Sequence, residues 1–318
     1  GMAFPARESM CTPEMPQPLF QALARIANAI SVYEPVKMLV NPADVSTARQ
    51  LCGSNVHLIE HAIDDLWMRD TGCVFVRNAR GERAAVSFNF NGWGNQQAHA
   101  RDATVAARMA ELTGVPLLRS SLVMEGGGIE VDGQGTAIIT ESCVLNKNRN
   151  PGVSKADAEA ELKRMLGLDK IIWLPGIAGR DITDGHTDFY ARFLKPGVVV
   201  AALDTDPKSY DHAVTHRHLE LLTGATDARG RPLQIATLKT PSQVRPTFAR
   251  KEFAAGYVNF FLTDKAVFLP EFGDAVADSA ARAALAAHLP SHQIVQLDID
   301  AIAAGGGGIH CTTQPDAA

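Results

Sequence analysis

Side chains that could carry out chemistry stand beside glycines at four places in the sequence. These residues are Asp70, Glu125, His186, Asp188 and Cys311. A thiolate is a strong nucleophile, an imidazole can transfer protons, and carboxylates favour a cation. A fold that brings the four places together would therefore combine a reactive sulfur, a proton carrier and an anionic surface in one site.

The sequence around Cys311 raises a question of its own. Residues 305–318 are GGGGIHCTTQPDAA, and four successive glycines lose backbone entropy on folding and contribute no side-chain packing. One interpretation is a flexible tail. The other is that the glycines let the backbone approach a ligand closely and adopt positive φ while they direct the Cys311 thiol.

The elements that must position these residues are short strands and amphipathic helices, which alternate along the whole sequence. Helical patterns begin near residues 102, 154, 208 and 278, with a weaker candidate near 42. The intervals of roughly fifty to seventy residues each hold two or three strand-like runs, which indicates a repeated supersecondary unit. Sequence runs that predict strands are VKMLVN, AAVSFNFN, TAIIT, KIIWL, GVVVAAL, LQIATL, YVNFFLTDKAVFLP and HQIVQLDI.

Boundary signals support these helices. Ser154 and Asp157 form an N-terminal capping pattern, and Gly114, Gly167 and Gly224 stand where helices are expected to end. If the stretch around His186 is extended, its side chain and that of Asp188 lie on one face.

Composition limits the classes of protein that remain. The chain has 318 residues, of which 46% are hydrophobic and 20% charged, so it can bury a substantial core. A net charge of −5 without like-charge runs argues against nucleic-acid and membrane partners and is compatible with a cationic substrate. No apolar run approaches the length of a membrane span, and a cytoplasmic location is expected.

The cysteines predict neither a disulfide framework nor a zinc ribbon. There are 5 of them, widely separated and without a C-x-x-C pair. Four are interpreted as packing residues: Cys11, Cys52, Cys73 and Cys143.

Seven ordered blocks resemble a known family. They are WMRDTG, FNGWG, EGGGIEVDGQGT, LNKNRNP, DGHTD, YVNFF with FGD, and GGGGIHCTTQ. The sequence is similar to agmatine deiminases, in the family that also contains the bacterial peptidyl-arginine deiminases. The resemblance implies an α/β fold, a five-bladed propeller of ββαβ repeats with pseudo-fivefold symmetry (the pentein fold). It implies one deiminase domain over residues 2–318, with a first blade that is shortened at the N-terminus.

The resemblance also implies roles for the reactive residues. Cys311 is expected to be the nucleophile and His186 the acid and base, while Glu125 hydrogen-bonds His186 and keeps it cationic. Asp70 and Asp188 are expected to hold a guanidinium group by paired hydrogen bonds. No cofactor and no metal are expected.

Trp67 is the remaining expected site residue. It is assigned to contact with the guanidinium or its alkyl chain by a cation–π interaction, with core packing as the alternative.

Three functions stay open at this point. The favoured one is hydrolytic deimination of a small guanidine, agmatine, to N-carbamoylputrescine and ammonia through a covalent thiouronium on cysteine. The second is deimination of arginine residues in peptides. The third is a non-catalytic protein that binds guanidines or polyamines, and a homodimer is left open as the assembly.

Two positions depart from the family pattern. Gly308 stands where asparagine is common, and Cys73 stands where proline is common. Residues that could bind a substrate carboxylate are Arg69, Lys147, Arg149 and Arg192, although each could equally be a structural ion-pair partner.

Overall fold

The computed structural model describes residues 1–5 and 16–316, so Cys11 lies outside the described residues. Those residues form two compact units. Unit 1 comprises Gly1–Met68 and Lys239–Gln314, and unit 2 comprises Arg69–Leu238 and Pro315–Ala318. The single deiminase domain with a shortened first blade stays a prediction.

Five three-stranded sheets contain the strands of the described chain, and each sheet takes three strands that follow one another in sequence. The strands are β1 (Met2–Ala3), β2 (Val36–Val40), β3 (Val56–Glu60), β4 (Val74–Arg77), β5 (Arg83–Ser87), β6 (Leu117–Arg119), β7 (Ile129–Val131), β8 (Thr136–Thr140), β9 (Lys170–Leu174), β10 (Ala191–Lys195), β11 (Val198–Leu203), β12 (Gln234–Lys239), β13 (Phe261–Leu262), β14 (Ala266–Glu271) and β15 (Gln293–Asp298).

Ten α-helices accompany these strands in the described residues. They are α1 (Pro16–Ser31), α2 (Val45–Leu51), α3 (Met68–Thr71), α4 (Gly92–Asn95), α5 (Val105–Thr113), α6 (Glu141–Val144), α7 (Lys155–Leu166), α8 (His212–Thr223), α9 (Ala275–His288) and α10 (Asp300–Ala303). None of these helices has both the length and the apolar character needed to cross a lipid bilayer.

Four of the five sheets share one connection pattern, which confirms the mixed α/β class and the repeated unit. In four sheets the first two strands are antiparallel: β4 with β5, β7 with β8, β10 with β11, and β13 with β14. A helix then precedes the third strand, which is parallel to the second in the pairs β5–β6, β8–β9 and β14–β15. Parallel neighbours need such a crossover because a tight turn cannot join them. Helices α5, α7 and α9 serve as these crossovers, and α8 stands at the same place between β11 and β12.

The first sheet differs, because β1 and β3 both run parallel to β2. Helix α1 stands between β1 and β2, and the sequence analysis missed it. Its buried residues lie three, four and seven positions apart, the pattern of an amphipathic helix. Leu19, Leu23, Ile26 and Ile30 form most of this apolar stripe and are almost completely buried in unit 1.

The predicted helix boundaries agree with the structure, with one difference in detail. The Ser154 hydroxyl accepts a hydrogen bond from the backbone N–H of Asp157 at the start of α7. Gly114 and Gly167 end α5 and α7 with φ of 66°, in the left-handed region. Gly224 ends α8 with right-handed geometry instead, so no special backbone conformation requires glycine there.

Candidate active site

Three predicted residues converge on one point in unit 2, at Gly127. Gly127 is the central residue of the short 3₁₀ turn Gly126–Gly128. A Cβ atom built on Gly127 would lie 2.6 Å from His186 Nδ1, 2.8 Å from Asp70 Oδ1 and 3.2 Å from Asp188 Oδ2. The three side chains therefore surround a position that only a residue without a side chain can occupy.

Asp70 lies on α3 and is fixed by neutral donors. Its Oδ1 accepts a hydrogen bond of 3.0 Å from the backbone N–H of Gly127, and its Oδ2 accepts one of 2.9 Å from Trp93 Nε1. His186 Nδ1 lies 3.7 Å from Oδ1. Burial raises the pKa of Asp70, and the positive charge of His186 opposes that rise. A cation nearby would stabilise the ionised form.

His186 and Glu125 form the hydrogen bond that the sequence predicts. His186 Nε2 lies 3.0 Å from Glu125 Oε2, and both side chains are essentially inaccessible to solvent. Burial would lower the pKa of His186, but the charge of Asp70 and the contact with Glu125 outweigh it and hold the pKa well above its ordinary value. His186 is therefore a cation that can serve as an acid.

Glu125 stays ionised because a guanidinium is bound to it. Burial would raise its pKa, but the hydrogen bond with His186 and the charge of Arg149 hold the pKa below its ordinary value. Arg149 Nε lies 2.9 Å from each carboxylate oxygen. The sequence analysis left Arg149 open between a carboxylate clamp and a structural ion-pair partner, and did not connect it with Glu125.

Asp188 lies in the 3₁₀ turn Thr187–Phe189, so the stretch is not extended, and the condition under which the sequence placed His186 and Asp188 on one face is not met. The turn nevertheless directs both side chains to Gly127. Asp188 is fully buried, and burial raises its pKa to about 6; the charge of His186 lowers the pKa and that of Asp70 raises it.

Cys143 also touches this group, beyond the packing role expected for it. Its Sγ lies 3.5 Å from Glu125 Oε2. Burial raises the pKa of Cys143, and the negative charge of Glu125 raises it further, so the group is a neutral thiol. One cluster of possible metal ligands occurs among the described residues. It consists of Glu125, Cys143 and His186, whose ligand atoms lie within 4.8 Å of one another. The Arg149 cation on the same carboxylate disfavours a metal there, and the expected absence of a metal stays a prediction.

Trp93 is a site residue that sequence reasoning missed. It belongs to the block FNGWG and has φ of 53°, which is rare for a bulky side chain. Flanking glycines make this turn possible: a Cβ on Gly94 would meet the Asn148 side chain, and one on Gly92 would meet the Gln97 carbonyl. Backbone strain at such a position indicates function. Here the strained turn brings the Trp93 indole N–H to Asp70.

Cys311 lies in unit 1, where Asn259 holds it from two sides. Asn259 Nδ2 donates to Cys311 Sγ over 3.2 Å, and the backbone N–H of Cys311 donates to Asn259 Oδ1 over 3.2 Å. Cys311 is 6% exposed and Asn259 is completely buried. The amide therefore fixes both the backbone and the sulfur of the candidate nucleophile.

The glycines before Cys311 are not a flexible tail. A Cβ on Gly307 would overlap the Trp67 ring, and one on Gly308 would lie 2.5 Å from Asn259 Oδ1. The absence of side chains at these two positions is what lets the chain pass between Trp67 and Asn259. Trp67 is 6% exposed, so core packing against Gly307 accounts for its contacts, and its contact with substrate stays a prediction.

Unit 2 thus brings together Asp70, Glu125, His186 and Asp188, while Cys311 and Trp67 belong to unit 1. Arg149 is bound to Glu125, and Arg192 Nε lies 2.7 Å from Glu130 Oε2. Those two guanidiniums are structural partners of glutamates and do not form a clamp for a substrate carboxylate.

Comparison with known proteins places the chain in a family. Residues 1–316 match the Porphyromonas-type peptidyl-arginine deiminase family, and the chain belongs to it. A putative agmatine deiminase of Streptomyces coelicolor is 42% identical over 92% of this chain and 88% of its own length. The agmatine deiminase of Pseudomonas fluorescens strain SBW25 is 36% identical over 94% of this chain and 87% of its own length. A solved structure of the agmatine deiminase of Enterococcus faecalis has a TM-score of 0.92 and 30% identity, and covers 98% of this chain and 91% of that chain.

Proposed function

We propose that this protein is an agmatine deiminase, a hydrolase that converts agmatine to N-carbamoylputrescine and ammonia. The observation that carries the proposal is the convergence of Asp70, His186 and Asp188 around Gly127. Two buried carboxylates whose pKa is raised by burial bind a cation favourably, because the cation restores their ionised form. The relatives named agmatine deiminases support the choice of guanidine.

In the first step, the guanidinium group of the substrate binds to the two carboxylates. Asp70 and Asp188 accept its N–H bonds and orient the planar group. The Cys311 thiolate forms a bond from sulfur to the guanidinium carbon. The carbon is electron-rich by resonance and a poor electrophile, so a strong nucleophile and a rigidly held substrate are both needed.

Collapse of this adduct breaks a carbon–nitrogen bond, and His186 donates the proton with which ammonia leaves. An S-alkylthiouronium remains on Cys311. The neutral His186 then removes a proton from water, whose oxygen attacks the same carbon. The carbon–sulfur bond breaks, the sulfur leaves as a thiolate, and the carbamoyl product forms.

For the fold we propose the arrangement that the family resemblance implies, a five-bladed propeller of ββαβ repeats with pseudo-fivefold symmetry. The five three-stranded sheets, and the antiparallel first pair that four of them share, support it. A cytoplasmic location and a homodimer stay predictions.

Substrate choice tests the proposed function. Arg149 and Arg192 are bound to glutamates, Arg69 is buried and Lys147 is exposed, so these four candidates in the described part of the chain form no evident fork for the carboxylate of free arginine. A substrate charge left unpaired in a closed site costs several kcal/mol. We expect kcat/KM for agmatine to exceed that for free arginine by at least about 10³ when ammonia release is measured.

A blocked arginine peptide, assayed beside agmatine and free arginine, separates the alternatives. Equal or faster turnover of the peptide would favour peptidyl-arginine deimination. Binding of agmatine without ammonia release from any of the three substrates would favour the non-catalytic guanidine or polyamine binder.

The pKa of Asp188 makes agmatine binding depend on pH. Asp188 is ionised above about pH 6 and neutral below it, and only the ionised form attracts the cation. In a Cys311→Ser background, which removes the thiol from the titration, we expect the Kd of agmatine to rise about tenfold per pH unit below pH 6. Calorimetry between pH 4.5 and pH 7.5 measures this slope. Adding Asp188→Asn is expected to weaken binding at pH 7 and to flatten the slope, whereas a Kd that is constant over this range would contradict the role of Asp188.

A further inference from the structure

Arg149 is buried at the centre of a network that joins two loops of unit 2. Its Nε bonds both oxygens of Glu125, its Nη1 lies 2.7 Å from Asp184 Oδ2, and its Nη2 donates to the Thr183 carbonyl over 3.1 Å. The side chains of Arg149 and Glu125 are both completely inaccessible to solvent. A guanidinium with these contacts fixes Glu125 relative to the backbone that leads into His186.

Asp184 holds the other end of this network. It has φ of 61° and stands two residues before His186, with Gly185 between them at φ of 86°. Its Oδ1 accepts from the backbone N–H of Gly179 over 2.6 Å, and its Oδ2 accepts from Asn148 Nδ2 over 2.9 Å as well as from Arg149. These bonds hold a backbone conformation that a non-glycine residue rarely adopts.

The contact with Arg149 controls the ionisation and the orientation of Glu125, the hydrogen-bond partner of His186. Ionised Glu125 accepts a charge-assisted hydrogen bond from protonated His186, which is stronger than the bond that a neutral carboxyl group could accept. A buried carboxylate without a counter-cation takes up a proton at higher pH, because burial disfavours the charged form and no opposite charge offsets it. The Nε fork also fixes the plane of the carboxylate, which a lysine ammonium cannot do in the same way.

We propose that Arg149, anchored by Asp184, is a positioning residue that keeps Glu125 ionised and aimed at His186, and so sets the proton transfer of the deiminase reaction. The proposal deepens the proposed function and rests on it. Arg149 acts through Glu125, so it is expected to affect kcat much more than KM.

The test compares Arg149→Lys, Arg149→Gln and Asp184→Asn. We expect kcat for agmatine to fall about 10²-fold in both Arg149 variants with KM changed less than threefold, because a misplaced proton donor slows chemistry and leaves the guanidinium contacts in place. In Arg149→Gln the acid limb of the pH–rate profile is expected to move up by at least about one pH unit, because Glu125 then becomes protonated at higher pH. Asp184→Asn nearly preserves shape and is expected to give a smaller loss of kcat in the same direction.

Arg245→Lys is the matched control. Arg245 in unit 1 also bonds several acids, with its Nη2 2.6 Å from Glu271 Oε1 and its Nη1 3.2 Å from Asp300 Oδ2. This control is expected to leave the pH profile unchanged. Lower kcat in the Arg149 variants with an unshifted acid limb, like that of the control, would mean a purely structural role and would overturn the proposal.

A measurement without substrate separates this proposal from the proposed function. The ¹³C carboxyl resonance of Glu125, assigned by its loss in Glu125→Gln, reports ionisation directly. It is expected to show an ionised Glu125 from pH 5 to pH 8 in the parent and a titration at least about one pH unit higher in Arg149→Gln. An identical titration in both proteins refutes the role of Arg149. Failure of the parent to release ammonia from agmatine, with the expected NMR result, refutes the proposed function alone.

Discussion

Replacing Cys311 with serine is expected to reduce ammonia release from agmatine by at least about 10⁴-fold while agmatine still binds. A serine hydroxyl is almost fully protonated at neutral pH and is a much weaker nucleophile than a thiolate. Asn259 donates to Sγ and would donate equally to a serine oxygen, so the geometry survives while the nucleophile is lost. Asp70 and Asp188, which are proposed to hold the cation, are unchanged.

Ammonia release measures the loss of turnover, and calorimetry measures the Kd of agmatine to show that binding is retained. Cys52→Ser is the matched control, since this thiol is half-buried at the end of α2, and burial raises its pKa to about 11. The control is expected to keep the parent rate. Turnover of Cys311→Ser within tenfold of the parent would remove Cys311 from the mechanism. A mass adduct on the peptide that contains Cys311, after acid quenching of the parent enzyme, provides independent support for the thiouronium.

Sequence periodicity predicted the strands and helices that are regular and long. The runs TAIIT and KIIWL correspond to β8 and β9 without a change of boundary. Short edge strands such as β6 and β7 escaped because three residues carry little periodic signal. Helix α1 was also missed, although its apolar residues recur at helical spacing.

The site was predicted through residue types beside glycines, and its supporting contacts were not. Asp70, Glu125 and the His186–Asp188 pair are far apart in sequence. In the fold Asp70, His186 and Asp188 meet at Gly127, and Glu125 lies 3.0 Å from His186. Arg149 and Trp93 carry no spacing signal that links them to Glu125 or Asp70. Their blocks, LNKNRNP and FNGWG, were visible in the sequence, but which side chain turns inward depends on backbone geometry such as the positive φ of Trp93.

The second substitution with a large expected effect is at Gly127, in the block EGGGIE. Gly127→Ala is expected to lower kcat/KM for agmatine by at least about 10³-fold, because the added methyl group would occupy the point shared by Asp70, His186 and Asp188. Gly127 does not have positive φ, so alanine fits the backbone and only side-chain crowding acts. Overpacking of this kind also destabilises a fold by about 1–3 kcal/mol, which thermal unfolding measures.

Gly128→Ala is the control in the same turn. A Cβ there would lie 3.4 Å from Cys143 Sγ and 3.7 Å from His186 Cδ2, which are ordinary contact distances. We expect this variant to lose less than tenfold in kcat/KM. If both variants are equally active, the point at Gly127 is not where the guanidinium and its acid are organised; if both are equally inactive, the turn matters as a whole. A large loss confined to Gly127→Ala, with folding retained, would locate the chemistry at the three side chains that surround it.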